Sequence, residues 1–465
     1  MSASKTWSGR FDKKTSSMME AFSSSIAFDN KLLEADILVN KAWAKALARI
    51  KIYSDEELQT VLQALDRILI DYSEGNLKFQ SGDEDIHSAV ERWLTERVGE
   101  LGSRIHCGKS RNDQVATDVR LFLKKESSFI VLGLQSMQEC IVELAEKHVD
   151  TVMPGYTHLR QAQPISFAHY LLAFCFQMQR DKRRLYEFRE RCDDMPLGSG
   201  ALAGSAFDID RKMLAEELGF KTFSHNSIDA TSDRDFITEC IFICVQVMLH
   251  TSRIAEDFII WSSEPYRFID IAQEYSTGSS MMPQKRNPDS LELIRGKTAR
   301  MIGNLNALMN LMKGIPTAYV RDLQEDKEPL FDTLWQTRLS VRIMNGVINT
   351  LQVYPKQMKA AIDPALYATD VADYLVKKGI AFRRAHEIVG KIVTWSEEHN
   401  TLMQDIPLNT WQGFAEQFDD RVYALFDPQK SLAKRNIPGG TGPASVRQQI
   451  IKAKEMLNSD ALFEE

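Results

Sequence analysis

The chain has 465 residues, 44% of them hydrophobic and 26% charged, with a net charge of −7. That length suits two to four domains or one large core with appendages, and the composition excludes disorder and fibrous repeats. The acidic balance excludes a nucleic-acid binder that works by bulk charge, while leaving room for a local basic pocket. Breakers are scarce: there are 14 prolines, none before Pro154, and 23 glycines. Such a chain is expected to form long helices. Residues 1–11 have no apolar core, so no signal peptide is expected. The greasiest stretch, Ile241–Leu249, is interrupted by Gln246 and falls short of the roughly 20 residues of a membrane helix. Six scattered cysteines without a CxxC pair read as core hydrophobes and loop thiols, which suits a reducing cytoplasm.

In chain order, shorter helices are expected first, over Lys31–Lys51 and Asp55–Tyr72. The first long helix is marked by apolar residues at Val115, Val119, Phe122, Ile130, Gly133, Met137, Ile141 and Leu144. Steps of three, four and seven are helical, and extra apolar residues such as Leu123 and Val131 widen the stripe as in a bundle. A second long helix is expected from about Ser166 to Arg191, between Pro164 and Pro196. A third should start near Ser232, as N-cap with Asp235 at N3, and end before Pro265. Its middle, Ile237–Leu249, is apolar nearly all round, the pattern of a fully buried helix. Two more are expected over Asp289–Met312 and Lys327–Leu351. The fold class is therefore mainly α, with a central antiparallel bundle. Three domains are expected: an N-terminal helical domain over 1–110, the bundle over 111–358 and a C-terminal helical domain over 359–465.

Folding alone does not explain five polar, loop-like segments. Asp83–His87 suits an acidic helix start, but that leaves the histidine unexplained. His106–Gln114 leads into the first long helix, where Ser110, Arg111 and Asn112 can add donors to free N–H groups. Gly155–Pro164 carries Thr157 and His158, the latter a candidate acid or base. Ser276–Pro288 reads as a mobile Gly-Ser loop followed by Lys285, Arg286 and Asn287. Tyr319–Glu328 by itself reads as a charged helix start. HExxH, EF-hand and Walker patterns do not occur, and Gly198–Gly204 misses the dinucleotide spacing and reads as a tight loop. No metal and no cofactor are expected. This donor set suits a small polyanion such as a dicarboxylate. It also suits removal of a C–H proton beside a carboxylate, where preorganised donors meet the developing charge.

Gly278–Pro288 resembles the signature loop of the fumarase/aspartase superfamily of lyases. Asp83–His87, His106–Gln114, Thr157–Pro164 and Asp322–Glu328 resemble the argininosuccinate lyase branch and its delta-crystallin relatives. The resemblance runs from Trp7–Phe11 to Gly439–Gly442. It implies a central long-helix bundle with smaller N- and C-terminal helical domains, in a homotetramer with active sites shared between subunits. It also implies a cytoplasmic enzyme that reversibly cleaves argininosuccinate to arginine and fumarate, with no nucleic acid or membrane as partner. Residue by residue, it implies that Ser279 abstracts the Cβ proton and that His158 is the partner acid or relay, two roles that stay interchangeable. Lys285 and Asn287 would steady the carboxylates and the dianionic intermediate. Ser25, His87, Ser110, Arg111, Asn112 and Thr157 would contact or line the substrate, and Tyr319, Gln324 and Lys327 would hold the arginine end.

Five positions depart from the family pattern: Cys107 for Thr, Lys109 for Arg, Arg160 for Gln, Arg286 for Lys and Val320 for Asn. None removes a proton-transfer residue, so they bear on affinity more than on chemistry. Two rival readings stay open: another superfamily lyase, acting on adenylosuccinate, malate or aspartate, and a silent, crystallin-like structural protein. The Tyr319/Gln324/Lys327 set speaks against the first, and intact Ser279, His158 and Lys285 against the second.

Overall fold

The computed structural model describes residues 15–80 and 82–460, so Trp7–Phe11 lie outside the described residues. After two short helices, Ser17–Ser23 and Ile26–Asp29, come helices α1 (Leu33–Arg49), α2 (Asp55–Ser73) and α3 (Ile86–Val98). Five long helices follow: α4 (Arg111–Lys147), α5 (Phe167–Arg191), α6 (Asp235–Ser262), α7 (Asp289–Met312) and α8 (Lys327–Asn349). α9 (Ala368–Lys377), α10 (Phe382–Glu398) and α11 (Pro443–Asp460) complete the set, with shorter helices between. The architecture is mainly α, and the sheet content of the described residues is four two-stranded pieces.

The chain packs as two compact units. Of the described residues, the first holds those up to 131 with 183–246 and 299–338, and the second holds 132–182, 247–298 and those from 339 on. Each of the five long helices gives a segment to both. In the second unit, α9 and α10 bury Val371, Leu375, Ile388 and Ile392 with Trp411 and Phe418, a satellite core for the last quarter of the chain.

The helices form where periodicity and caps allow. In α2, Ser54 accepts from the Glu57 N–H while the Glu57 carboxylate accepts from the Ser54 N–H, a reciprocal cap. In α4 the fully buried stripe is Ala116, Val119, Leu123, Ile130, Leu134, Met137 and Ile141. Val115, Phe122, Gly133 and Leu144 are half-buried beside it. The first turns of α4 bury polar groups instead: Asp113, Gln114, Thr117, Asp118 and Arg120. By length and composition α4 and α6 would reach across a membrane, yet this polar cluster sits in α4 itself.

Two expectations for α6 need correction. Ser232 is not its cap but the last residue of a separate helix, Ser227–Ser232, capped by Asn226. The chain turns extended at Asp233, whose carboxylate accepts from the Asp235 N–H at 2.7 Å, and α6 starts there. Arg234 at this break is buried against Asp326, which explains why the chain leaves the helix to reach it. The middle of α6 is also not sealed all round, because Phe242 and Leu249 are exposed.

Candidate active site

The candidate residues fall into two groups, one in each unit. In the first unit, the α4 N-terminus is built around the Asp113 carboxylate. It accepts from the Ser110 N–H at 2.9 Å, the Gly198 N–H at 3.0 Å and the Gly200 N–H at 2.8 Å. The glycine loop read as a tight turn is thus pinned to the start of α4, with Gly198 and Gly200 both at positive φ. The Asn112 amide donates to the Ala201 carbonyl at 3.2 Å. Gly108 precedes this turn at φ +78, and a Cβ there would meet the Phe207 ring at 2.8 Å, so the position demands glycine. Burial pushes the Asp113 carboxyl up to about 6, against the pull of its three N–H donors.

Asp85 caps α3, accepting from the Ser88 N–H at 2.7 Å, and its other oxygen lies 3.3 Å from Arg111 Nε. Burial opposes ionisation, but Arg111 and His87 hold this carboxyl down to about 2. The Ser25 hydroxyl donates to Asp29, and the Ser25 N–H donates to the Glu84 carbonyl at 2.9 Å. The Tyr319–Lys327 segment joins the same neighbourhood. Gln324 Nε2 and Arg321 both donate to the Ser23 carbonyl, at 3.2 and 2.8 Å, and Arg321 also pairs with Glu84. Lys327 is buried, with Nζ 2.7 Å from Asp326 Oδ1, and Asp326 also takes Arg234. Burial pushes the Tyr319 phenol up, with Arg321 and Arg234 opposing. The structure therefore brings together Ser25, His87, Ser110, Arg111 and Asn112 with Tyr319, Gln324 and Lys327.

His87 is surrounded differently from what its sequence neighbours suggest. It is only 2% exposed, and Nδ1 lies 2.8 Å from Asp36 and 3.2 Å from Asp118. Sequence reading found no ligand-type cluster. Among the described residues the fold assembles one, Asp36–His87–Asp118, with the three ligand-type atoms within 4.8 Å of one another. Lys109, one of the departures from the family pattern, is buried beside it and donates to Asn40 Oδ1, while Asn40 Nδ2 donates to Asp36 at 2.9 Å.

In the second unit the residues sit on two hairpins. Strands β1 (Val152–Thr157) and β2 (Arg160–Ser166) pair antiparallel, with Thr157 opposite Arg160. The segment read as a loop between helices is therefore a hairpin, with a bulge between Pro154 and Tyr156. His158 and Leu159 form its tip, at φ 56 and 57. Positive φ at both central positions is the type I′ pattern, which usually calls for Asn-Gly. Here it is imposed on a histidine and a branched side chain, and both are exposed. The hairpin is pinned at both ends: at its base the Ser166 N–H donates to Thr441 Oγ1 at 2.8 Å, and beside its tip Gln161, paired with Tyr156, bonds Ala361 and Asp363.

Strands β3 (Thr277–Gly278) and β4 (Arg286–Asn287) enclose the signature loop. The Ser279 hydroxyl oxygen accepts from the Met281 N–H at 3.3 Å and the Met282 N–H at 3.1 Å. Arg286 pairs with Asp270 and the Thr277 hydroxyl donates to Asp289, which ties down both strands. Lys285 is exposed, and Nζ has no ion-pair partner among the described residues. Ser279 is half-buried at the start of the loop, while Met281 at its crest is 86% exposed.

Comparison with known proteins fits this arrangement. A family model described as lyase matches residues 9–303, and one described as argininosuccinate lyase C-terminal matches residues 365–433. The first match covers more than half the chain and makes it a lyase. Argininosuccinate lyase of Moorella thermoacetica is 44% identical over 454 residues, 97% of this chain and 98% of the relative. That of Geobacillus sp. (strain WCH70) is 45% identical over 456 residues, 98% and 99% of the two chains. Within the lyases, the chain belongs to the argininosuccinate lyase family. Among solved structures, EDDS lyase in complex with formate superposes with a TM-score of 0.85 at 27% identity, over 97% of this chain and 91% of that one. Class II fumarase of Schistosoma mansoni shares the fold, with a TM-score of 0.75 at 14% identity over 89% and 94% of the two chains.

Proposed function

We propose that the protein catalyses the reversible β-elimination of argininosuccinate to arginine and fumarate, in arginine biosynthesis. The observation that carries this reading is the Ser279 hydroxyl, whose oxygen already sits on two backbone N–H groups at the mouth of the signature loop. A serine oxygen is too weak a base for a carbon-bound proton unless donors stabilise its anion. The Met281 and Met282 N–H groups supply two, and Lys285 in the same loop carries the charge to supply a third.

In the proposed reaction Ser279, as the alkoxide that these donors stabilise, takes the Cβ proton and becomes the hydroxyl, the electron pair settles on the adjacent carboxylate, and Lys285 and Asn287 steady the resulting dianion. The C–N bond then breaks, the C=C bond of fumarate forms, and the leaving guanidino nitrogen takes a proton from His158 or through it. Ser110, Arg111, Asn112 and Thr157 hold the carboxylates with Ser25 and His87 beside them, and Tyr319, Gln324 and Lys327 hold the arginine end. The chain works as a cytoplasmic homotetramer with sites shared between subunits and without a cofactor. Assembly is supported by apolar side chains on the long helices, such as Trp335, Phe242 and Leu293, that stand exposed on the chain.

The test is fumarate release from argininosuccinate, with adenylosuccinate and malate run in parallel. Release from argininosuccinate alone supports the reading, and release from one of the others in its place overturns it. Light scattering should report a tetramer at micromolar concentration, and a stable monomer there overturns the shared site.

A further inference from the structure

We propose that Asp36 and Asp118 are positioning residues that clamp the His87 ring through Nδ1 as an imidazolium, leaving its Nε2–H to bind a carboxylate of the ligand. The proposal rests on the reading that His87 lines the substrate site and goes beyond it by naming the groups that set its charge and orientation.

The three side chains come from α1, α3 and α4, and all are buried. Asp36 is held on both oxygens, one by Gln114 Nε2 together with His87 Nδ1, the other by Asn40 Nδ2 at 2.9 Å. It is a fixed acceptor, so it fixes the ring. Asp118 faces the same nitrogen at 3.2 Å, and neither of its oxygens has a hydrogen bond of good geometry. His87 Nε2 is likewise buried without a partner. Buried polar atoms without partners are few in native proteins and require an explanation, and here three adjoin one residue. Two other acids act on His87, but both are engaged elsewhere. Asp29 takes the Ser25 hydroxyl and the Ile86 N–H, and Asp85 takes the Ser88 N–H and Arg111. The described chain therefore offers Nε2–H no acceptor, and an anionic ligand group is the chemistry that fits it.

The same three residues are of metal-ligand type, but distance and charge favour a proton. Bonds of 2.0–2.2 Å to a tetrahedral ion would separate its ligand atoms by about 3.3–3.6 Å. The observed 2.8 and 3.2 Å are hydrogen-bond separations. The buried Lys109 ammonium, on Asn40 next to Asp36, already supplies positive charge there. The charged groups acting on the cluster are Asp29, Asp85 and Glu91 on one side and Lys109 and Arg111 on the other. Burial alone would strip the proton from His87, yet the surrounding acids, Asp36 first, hold its pKa up to about 10. Burial would also raise Asp36, but His87 and Lys109 keep it low, whereas burial and the Asp36 charge push Asp118 up.

The experiment measures fumarate affinity by calorimetry from pH 6 to 9 for wild type, D36N, D118N and H87Q, with a thermal melt at each pH. Wild type should bind fumarate with little pH dependence from His87, because the imidazolium persists throughout. In D36N the His87 pKa should fall into the window, so affinity should drop about tenfold per pH unit above it. D118N, which removes the more distant acid, should show a smaller shift of the same sign. H87Q keeps a neutral donor and should bind several-fold more weakly at every pH. A merely structural role would lower the melting temperature and leave the shape of the pH profile unchanged. Parallel profiles for wild type, D36N and D118N overturn the proposal, and D118N decides it should D36N not fold. Stoichiometric divalent metal in wild type that is lost in H87Q overturns it too. Unchanged affinity in H87Q overturns the placement of His87 at the ligand. Failure of the lyase reading is separable, since it would show as absent fumarate release whatever the binding profile.

Discussion

The two groups of candidate residues are built by opposite means. In the first unit the donors are held inside a network: Ser25 on Asp29, Arg111 beside Asp85, Asn112 on a loop carbonyl and Lys327 on Asp326. In the second unit the groups proposed to move protons stand in the loops of two hairpins. His158 is exposed on one, and Ser279 and Lys285 sit on the other with few side-chain partners. On the roles proposed above, the contrast separates two tasks. Binding two carboxylates requires charges fixed before the ligand arrives, because reorganising them afterwards costs energy. Proton transfer to and from carbon requires groups that close over the substrate and release it, and loops on a firm base do that.

The comparison breaks most visibly at Ser279. Ser279→Ala should lower kcat by at least roughly 10²–10⁴-fold while fumarate binding by calorimetry stays within a few-fold of wild type. Ser280→Ala should cost far less, because its oxygen is not the one on the Met281 and Met282 N–H groups. Near-normal kcat in Ser279→Ala, or greater damage from Ser280→Ala, would mean that the loop is only a lid. His158→Asn comes next. Asparagine tolerates positive φ, so the hairpin tip keeps its shape and the change is chemical. Its loss of kcat should lie between those two variants, or equal that of Ser279→Ala if both residues handle the same proton. A kcat equal to wild type would remove His158 from the reaction.

The division between the two groups also explains what could be read from the chain beforehand. The five long helices were legible because a 3.6-residue pattern runs between distant breakers, and their observed ends lie within a few residues of the expected ones. The start of α6 was misread because Ser232 and Asp235 imitate a cap, while the break at Asp233 and Arg234 depends on Asp326, far along the chain. The site segments were legible as polar runs that folding did not require. What surrounds them was not: Asp36, Asn40 and Asp118 look like ordinary helix residues, and only tertiary packing turns them on His87. The His158 hairpin was hidden by its composition, since Pro154, Gly155 and Pro164 mask the alternation of a strand.

The fixed character of the first group can be tested at Asp113. Its carboxyl has a pKa of about 6 in the fold against about 3.9 in an unfolded chain, so the fold binds the proton more tightly. Its contribution to stability is full below about pH 4 and is lost as pH rises through about 6. In Asp113→Asn this slope should vanish, so the wild-type minus variant difference in stability should change between pH 4 and 6 and level off above. At pH 7 the variant should be less stable by about 1–3 kcal/mol, since an amide NH₂ now faces N–H groups that a carboxylate accepted. KM should rise because Ser110 and Asn112 lose their anchor, while kcat should move less. A kcat loss as large as that of Ser279→Ala, with KM unchanged, would break the assignment of this group to binding.

The smallest effect is expected at Leu159, where the second group keeps its strain. A branched side chain at φ 57 costs roughly 1–2 kcal/mol that glycine does not pay. Glycine also gives the unfolded chain more freedom, at about 0.5–1 kcal/mol. Leu159→Gly should therefore leave the melting temperature unchanged or raise it slightly. Because the leucine side chain is 76% exposed, the change removes little packing. If the strained tip serves only to turn the chain, kcat should stay at the wild-type value. If it serves to hold the neighbouring imidazole in one orientation, the freer backbone should lower kcat several-fold with KM nearly constant, and this is the outcome expected. Ser166 holds the hairpin at its base and Gln161 holds it beside the tip, so flexibility gained at Leu159 is confined to the tip itself. A clear drop in melting temperature would show instead that Leu159 stabilises the hairpin, and its backbone geometry would then owe nothing to catalysis.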